Sequence, residues 1–308
     1  MSTTRTVNPE MLRLGLLQMI IEGMDQVPAT WQQLVGQRIS TRQQYEQTAH
    51  MSGIGLLRQI TETEMTPLLV DQARGTKTYT PVEWGGRVIW NKRTKNKDIY
   101  NYTAQMGRQL GLSAVETQNL VAARTLANGA SLGSNPTTSW DGQPVFGSHT
   151  TSRGSVWNNR LTLAASASSL QTMLTTLSTS FTDTDTPRRM QGGYKLVCGP
   201  GKVAVWTNVL YAEGGMAGTT DHSTNKYISQ RVTGIVEEAW FTSGLLGYEN
   251  STFLLPNDNS QNPFFKLTVE DFQTETMWEG LYRRWQLMTY GEWLFDAKGH
   301  QGVLASIV

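Results

Sequence analysis

The chain is poor in the residues that build most chemical sites. It holds a single cysteine, Cys198, which excludes an intrachain disulfide and fits a reducing compartment. Its four histidines, His50, His149, His222 and His300, form no i, i+4 pair and have no cysteine partner. Zinc needs several converging nitrogen or sulfur ligands, so neither a metal site nor a cofactor is expected. Charge is also scarce: Asp, Glu, Lys and Arg make up 17% of 308 residues, below the roughly 25% usual for soluble domains. The shortfall is filled by Thr, Ser, Asn, Gln and Gly, since hydrophobic residues reach only 38%. A net charge of +1 leaves no global basic field to hold nucleic acid. Long apolar runs are missing too. The longest, Leu14 to Met24, is broken by Gln18 and Glu22 and is too short to span a bilayer. The start, Met1 to Thr6, lacks the charged-then-apolar pattern of a secretion signal. The expectation is a soluble chain made in the cytoplasm, with no membrane partner.

What is present suits contact rather than chemistry. A free monomer usually keeps more surface charge for solubility, and a subunit packed against neighbours does not need it. Ten Trp and ten Tyr serve contact surfaces and cores equally well. Asn8-Pro9-Glu10 starts a helix: a capping side chain, a proline whose missing N–H costs nothing, and an acid near the positive end. Leu12, Leu16, Met19, Ile20 and Met24 give that helix one apolar face, which must dock either on its own core or on a neighbouring subunit.

Residues 41–97 change character. Arg74 to Pro81 and Val82 to Trp90 read as the arms of a β-hairpin with Gly85-Gly86 as its turn. Asn91 to Lys97 is strongly basic. From Arg74 to Lys97 there are seven Lys/Arg and one Glu, a local net of +6. Such a stretch extends toward solvent or seeks acid or phosphate.

A long helix follows, with Asp98 as its N-cap and a capping box at Ser113-Ala114-Val115-Glu116. It ends at Asn128-Gly129, where a glycine is expected to take the left-handed conformation. A loose loop leads to Trp140-Asp141-Gly142-Gln143-Pro144-Val145-Phe146, then Gly147-Ser148-His149 and Asn158-Asn159. Further on, Leu170, Met173, Leu174, Leu177 and Phe181 repeat at helical spacing. Tyr194 to Cys198 is a short buried strand, and Lys202 to Glu213 a helix presenting Val205, Val209 and Ala212. Gly214 to Asn225 is a loop. Strands are expected at Val232 to Phe241, Thr252 to Pro256 and Phe264 to Val269. Gly280 to Phe295 reads as one long strand, with Leu281, Trp285 and Leu287 on one face and Tyr282, Arg284 and Gln286 on the other. Helices and antiparallel strands without a βαβ rhythm give an α+β class.

Catalytic patterns fail on inspection. Gly199-Pro200-Gly201-Lys202 invites a phosphate-loop reading, but the required glycine and hydroxyl positions hold Leu196 and Val203. Asp141, Ser148 and His149 are the letters of a hydrolase triad without a Gly-x-Ser-x-Gly elbow, and His149 better suits packing of the turn after Phe146. Asp183 and Asp185 lack the glycine and terminal acid of a calcium loop. Cys198 reads as a small buried hydrophobe. The chain is not expected to be an enzyme.

The order of long helix, soft loop, Asp-Gly-Gln-Pro-Val-Phe turn with His149, and the Asn158-Asn159 pair resembles the major head subunit of Mu-like tailed phages. The Tyr194 to Leu210 and Gly280 to Phe295 segments extend the likeness over residues 98–295. The resemblance implies the Hong Kong 97-type capsid fold: an N-terminal arm (1–40), an extended hairpin loop (41–97), a peripheral domain with the spine helix (98–162 and 270–308) and an axial domain (163–269). It implies a subunit that assembles with itself as hexamers and pentamers into an icosahedral head around double-stranded DNA, contacted only weakly by so neutral a chain. Portal, scaffold and maturation-protease partners would follow. Inter-subunit contacts would come from the basic hairpin region, namely Arg74, Lys77, Trp84, Arg87, Trp90, Lys92, Arg93 and Lys95, steered by acidic surface on the next subunit. Some relatives carry a scaffolding segment ahead of the arm. Here the arm helix begins at Asn8, so scaffolding is expected from a separate protein or not at all. Lysine cross-linking from the loop is not expected. The alternatives are an encapsulin-type compartment around a cargo protein, a hydrolase, and a tail or decoration protein.

Overall fold

A proline at the first helical position opens α1 (Pro9–Asp25), and Pro28 follows its end. The computed structural model describes residues 9–51, 73–91, 101–130, 136–152, 154–180, 192–211, 230–279 and 284–308. The expected Asp98 cap, the Lys92 to Lys97 run, the 214–225 loop, Phe181, Leu281 and Tyr282 lie outside them. After the single turn α2 (Trp31–Leu34) and the ribbon strands comes the spine helix α3 (Tyr102–Asn128), 27 residues and so roughly 40 Å long. Its first cap is Asn101 in the left-handed region, a conformation asparagine tolerates. Ser113, read as a second start, lies inside one continuous helix, and its carbonyl accepts from the Thr117 hydroxyl at 2.7 Å. Gly129 keeps right-handed geometry, φ −60°, contrary to the left-handed stop expected. Its missing side chain instead makes room for the Phe146 ring, which a Cβ would approach to 3.2 Å.

The spine helix has a seam of small buried residues, Ala104, Gly107, Gly111 and Ala114. There α1 crosses it backbone to backbone: a Cβ at Gly111 would overlap the Ile20 carbonyl, and one at Gly23 the Arg108 carbonyl. Ile20 is fully buried beside Leu110, Trp90 and Leu287, and Glu22 pairs with Arg108 at 3.0 Å on the rim. The Met19, Ile20 and Met24 part of the apolar face of α1 therefore docks within its own chain.

Two sheets flank this framework. The first has the order β1-β11-β12-β4, built from β1 (Gln37–Ser40), β4 (Val82–Asn91), β11 (Phe264–Glu279) and β12 (Arg284–Ala297). Leu267, Leu287, Trp293 and Phe295 are buried in it. The strand expected at 264–269 runs on to Glu279, because its polar second half alternates at a solvent-facing surface. Of the strand expected over 280–295, residues 280–283 lie outside the described residues, and Gln286, expected opposite the buried Leu287, is itself buried and bonded to Glu279.

The second sheet has the order β7-β13-β10-β8-β9: β7 (Arg160–Leu161), β8 (Tyr194–Cys198), β9 (Val232–Glu237), β10 (Thr252–Pro256) and β13 (Leu304–Ser306). Helices α4 (Ala167–Ser178) and α5 (Pro200–Tyr211) share its core through Leu170, Met173, Leu174, Leu177, Trp206, Val209 and Leu210. The Ser166 hydroxyl caps α4, accepting from the Ser169 amide at 3.1 Å. In α5 the buried face is rotated from the expected one: Val205 is exposed, and Trp206 turns inward to donate to Thr252 Oγ1 at 3.1 Å. Cys198 is buried, which pushes its thiol up to about 12. β7 and β13 join this sheet although the sequence grouping placed them with the peripheral segments.

The expected hairpin between 74–81 and 82–90 does not form. β3 (Ala73–Tyr79) pairs with β2 (Glu46–Met51), and β4 pairs with β12. Pro81 separates them. Gly85 and Gly86 sit mid-strand opposite Tyr290 and Thr289, and a Cβ at Gly86 would come within 3.3 Å of Leu110 on the spine helix. The glycine pair gives clearance under the helix rather than a turn. A short ribbon of β5 (Ser148–Thr150) and β6 (Val156–Asn158) completes the described strands. Among the described residues no helix is long and apolar enough to cross a membrane.

Candidate functional site

The residues named as contacts divide by what already holds them. Lys77 Nζ donates to the Thr138 carbonyl (2.6 Å), Asp296 Oδ1 (2.7 Å) and the Ala297 carbonyl (3.1 Å). It therefore ties β3 to the end of β12 with all three protons. Burial raises the Asp296 carboxyl, and the Lys77 charge and hydrogen bond only partly offset this. Trp84 stacks on Trp293, centroids 4.9 Å apart, and donates Nε1–H to the Trp293 carbonyl at 3.3 Å. Trp90 is buried between α1, the spine and β12. Arg74 and Arg87 remain exposed, although Arg74 lies over the Trp140 ring at 5.6 Å and donates to the Thr150 carbonyl at 3.3 Å. Lys92, Arg93 and Lys95 lie outside the described residues.

The Trp140 to Phe146 turn is the second centre. Asp141 Oδ1 accepts from the Gln143 amide at 3.1 Å, and Gly142 takes φ +76°, where a side chain would be strained. Val145 and Phe146 are fully buried. Asn159 closes the turn from behind: its Oδ1 accepts from the Gly147 amide at 2.7 Å, and Nδ2 donates to the carbonyls of Val145, His300 and Val303.

This turn gathers three of the four histidines. His149 Nδ1 meets Asp141 Oδ2 at 2.8 Å and Nε2 meets the Val145 carbonyl at 3.2 Å. The His149 and His300 rings stack at 3.5 Å, 9° from parallel. Ser139 Oγ and His300 Nδ1 are 2.8 Å apart. Trp140 stacks on His50 at 4.1 Å, at the end of the β2–β3 ribbon away from Glu46 and Tyr79. Burial by itself would raise the Asp141 carboxyl. The His149 hydrogen bond and the charges on His149 and His300 hold it below the usual carboxylate range instead. His149 packs the turn as its position in the sequence suggested. The convergence of His50 and His300 on it carried no local signal, because the three come from distant segments.

Asp141, His149 and His300 are the group among the described residues that could hold a metal, with donor atoms within 4.8 Å of one another. The parallel stack sets the two imidazoles side by side, so an ion in line with one ring's lone pair lies out of the plane of the other. The arrangement is a hydrogen-bonded charge cluster. The triad reading also fails in space. Ser148 is exposed and His149 buried on opposite faces of β5. Ser139 reaches His300 but is only 2% exposed, leaving a substrate no approach.

One more buried acid lies just beyond β9, near Thr30 and Glu116. Glu238, at 1% exposure, accepts from the Trp240 amide through Oε1, while Oε2 has no hydrogen-bond partner. Burial pushes its carboxyl up to about 7; Trp240 and Thr30 pull it down, and Glu116 adds to the rise.

A family model described as phage capsid protein matches residues 74–303. Among curated proteins none matches the sequence. Solved structures share the fold at low identity. The virus-like particle from Pyrococcus furiosus is 11% identical with a TM-score of 0.56, over 95% of this chain and 98% of that one. The capsid of Cyanophage P-SCSP1u is 12% identical with a TM-score of 0.56, over 89% of this chain and 86% of that one. The holo-SrpI encapsulin complex from Synechococcus elongatus PCC 7942 is 9% identical with a TM-score of 0.53, over 91% and 87%.

Proposed function

The chain belongs to the phage capsid protein family, and from that premise we propose how it works as a head subunit. It is a major capsid protein with the Hong Kong 97-type fold, and its place is the capsid of the virion. The observation that carries this reading is the family match over most of the chain, laid on a spine helix, two sheets and a projecting ribbon.

Copies of the chain associate into a closed shell. We place it in the Mu-like branch, on the turn and asparagine pair described above, and assign it hexamers and pentamers around double-stranded DNA. Assembly takes place in the host cytoplasm with portal, scaffold and maturation-protease partners. The work is done by contact, with no catalysis. Arms 1–40 and 41–97 and bodies 98–162 with 270–308 and 163–269 remain the working division. Low charge supports it, because large surfaces can meet without desolvating many ions, each costing several kcal/mol when unpaired.

Among the contact candidates, Arg87 and the Lys92, Arg93 and Lys95 run fit an acidic neighbour best. Lys77, Trp84 and Trp90 act indirectly, by setting the position of the ribbon and β4. Arg87→Glu should leave the stability of the unassembled chain within about 0.5 kcal/mol of wild type and lower particle yield. Negative-stain microscopy of the chain, alone and with its scaffold, tests the whole reading. Closed particles with nuclease-protected DNA are expected from infected cells, and a persistent monomer under every condition would overturn it. Particles filled with one protein instead of DNA would favour the encapsulin reading, which the shared fold keeps in view.

A further inference from the structure

We propose that the outer edge of β11, at residues 273–279, pairs with the outer edge of β4 on a second copy of this chain, so that one sheet continues from subunit to subunit. The proposal rests on the capsid reading and names the acidic surface that the basic region meets. β1 covers β11 only at residues 265–268, and the last bond on that side runs from the Thr41 amide to the Thr268 carbonyl at 3.0 Å. Past two register shifts, residues 273–279 pair with β12 without a break. Among the described residues no strand lies on their other side, and β4 likewise has β12 as its one neighbour. An edge strand turns alternate N–H and C=O groups outward, which makes it a template for another strand.

Charge decides which strand it takes. Residues 269–279 hold Glu270, Asp271, Glu275 and Glu279, with no Lys or Arg. Two copies meeting at β11 would set acid against acid, which disfavours a two-fold contact there. β4 carries Arg87, and Lys92, Arg93, Lys95 and Lys97 follow it in the sequence, so two copies meeting at β4 would crowd bases together. Joining the unlike edges avoids both conflicts. A head-to-tail contact of this kind generates rings when its rotation closes.

The fold then sets direction and register. β4 and β11 both run antiparallel to β12, so they point the same way, and a sheet continued through a neighbour pairs them in parallel. Gly85, Arg87 and Ile89 of β4 and Gln273, Glu275 and Met277 of β11 are exposed on the face away from the buried Trp90 and Leu287. Keeping that face outward lets the register slip only in steps of two. One register sets Arg87 beside Glu275 and Ile89 beside Met277. A slip of two in either direction puts Ile89 against Glu275 or Glu279 and leaves Arg87 beside Gln273 or Met277.

The residues brought together are the ones with contacts to spare. Glu275 is exposed and accepts from the Tyr290 hydroxyl at 3.3 Å, with no cation bonded to it among the described residues. Glu279 is engaged already, by Arg284 and Gln286, and feels the Arg87 charge across the sheet. Ile89 is 37% and Met277 49% exposed, and pairing covers both apolar side chains.

The test uses the full chain assembled into particles. Ile89→Cys and Met277→Cys in one chain lie two strands apart, about 10 Å, which is beyond the reach of a disulfide. The native Cys198 is fully buried. Oxidation of I89C/M277C particles should therefore give a ladder of subunits linked to one another, and neither single variant should give it. Arg87→Glu or Glu275→Lys alone should lower particle yield about tenfold by facing like charges. The double swap R87E/E275K should return it to within about twofold of wild type. Closed particles of I89C/M277C that stay unlinked, linked dimers from M277C alone, or a double swap no better than the singles would each overturn the edge pairing. All three leave the capsid reading standing, because wild type still closes; a wild type that never closes overturns both. Should a variant not fold, hydrogen–deuterium exchange on wild type decides it. Segments 82–91 and 273–279 must exchange more slowly in particles than in the unassembled chain, and equal rates refute the proposal.

Discussion

Replacing Glu238 by glutamine should make stability depend on pH in a way no surface change would. In the folded chain burial lifts this carboxyl from an ordinary 4.5 to about 7. In the unfolded chain it ionises freely. As pH rises from 4.5, the unfolded state loses its proton while the folded state retains it, and stability is lost across the window from 4.5 to 7. Above 7 the loss is complete, because the folded carboxylate is then ionised in a site with 1% exposure. Linkage puts the cost at about 1 kcal/mol at pH 5 and about 3 kcal/mol at pH 8. Glutamine removes this dependence and keeps the Oε1 acceptor for the Trp240 amide. It also leaves an amide group where Oε2 has no partner, at a cost of about 1–3 kcal/mol. That cost does not vary with pH, so the difference between two pH values isolates the ionisation. Urea unfolding of wild type and E238Q, both unassembled, should show the variant gaining about 2 kcal/mol relative to wild type between pH 5 and pH 8. Parallel pH profiles for the two proteins would refute the reasoning, whatever their offset.

Gly111→Ala should cost about 2–3 kcal/mol by overpacking, because its Cβ overlaps the Ile20 carbonyl and forces α1 off the spine helix. Exchange of the α1 amides at the rate of free peptide would show it, and unchanged protection would count against the crossing. Lys77→Met should cost about 2–3 kcal/mol at pH 8 by leaving Asp296 without its partner. The loss should shrink toward pH 4, where that carboxyl takes a proton, so thermal melts across the range would expose a flat profile as a failure of this account.

Legibility in the sequence followed range. Features decided within a few residues came through. Pro9 starts α1, Leu170 to Leu177 bury one face of α4, and Tyr194 to Cys198 and Thr252 to Pro256 are strands. The α+β class and the capsid fold came through as well. Features decided by distant neighbours did not. Gly85-Gly86 has the letters of a turn, but the pressure of Leu110 from the spine helix makes it a clearance in a strand. Glu270 to Glu279 has the polarity of a loop, but pairing with β12 makes it a strand. His50 and His300 gave no hint of His149 because nothing local relates them. Nothing near Lys77 in the sequence pointed to Asp296, which lies at the far end of the chain.

These long-range polar contacts concentrate where the ribbon meets the body, and that distribution has a mechanical meaning. The interior of the second sheet is apolar, with Leu254, Leu255, Phe253 and Leu304 fully buried, and such packing is largely indifferent to direction. The ribbon beyond Tyr79 is held by polar and ring contacts as well: by the three bonds of Lys77, the stack of His50 on Trp140, and Arg74 on the Thr150 carbonyl. Hydrogen bonds and stacked rings have preferred angles, so they fix orientation as well as proximity. A subunit repeated around a curved shell needs a body that keeps its shape and an arm whose angle is defined but resettable. Apolar packing supplies the first. A small set of directional contacts at the ribbon suits the second.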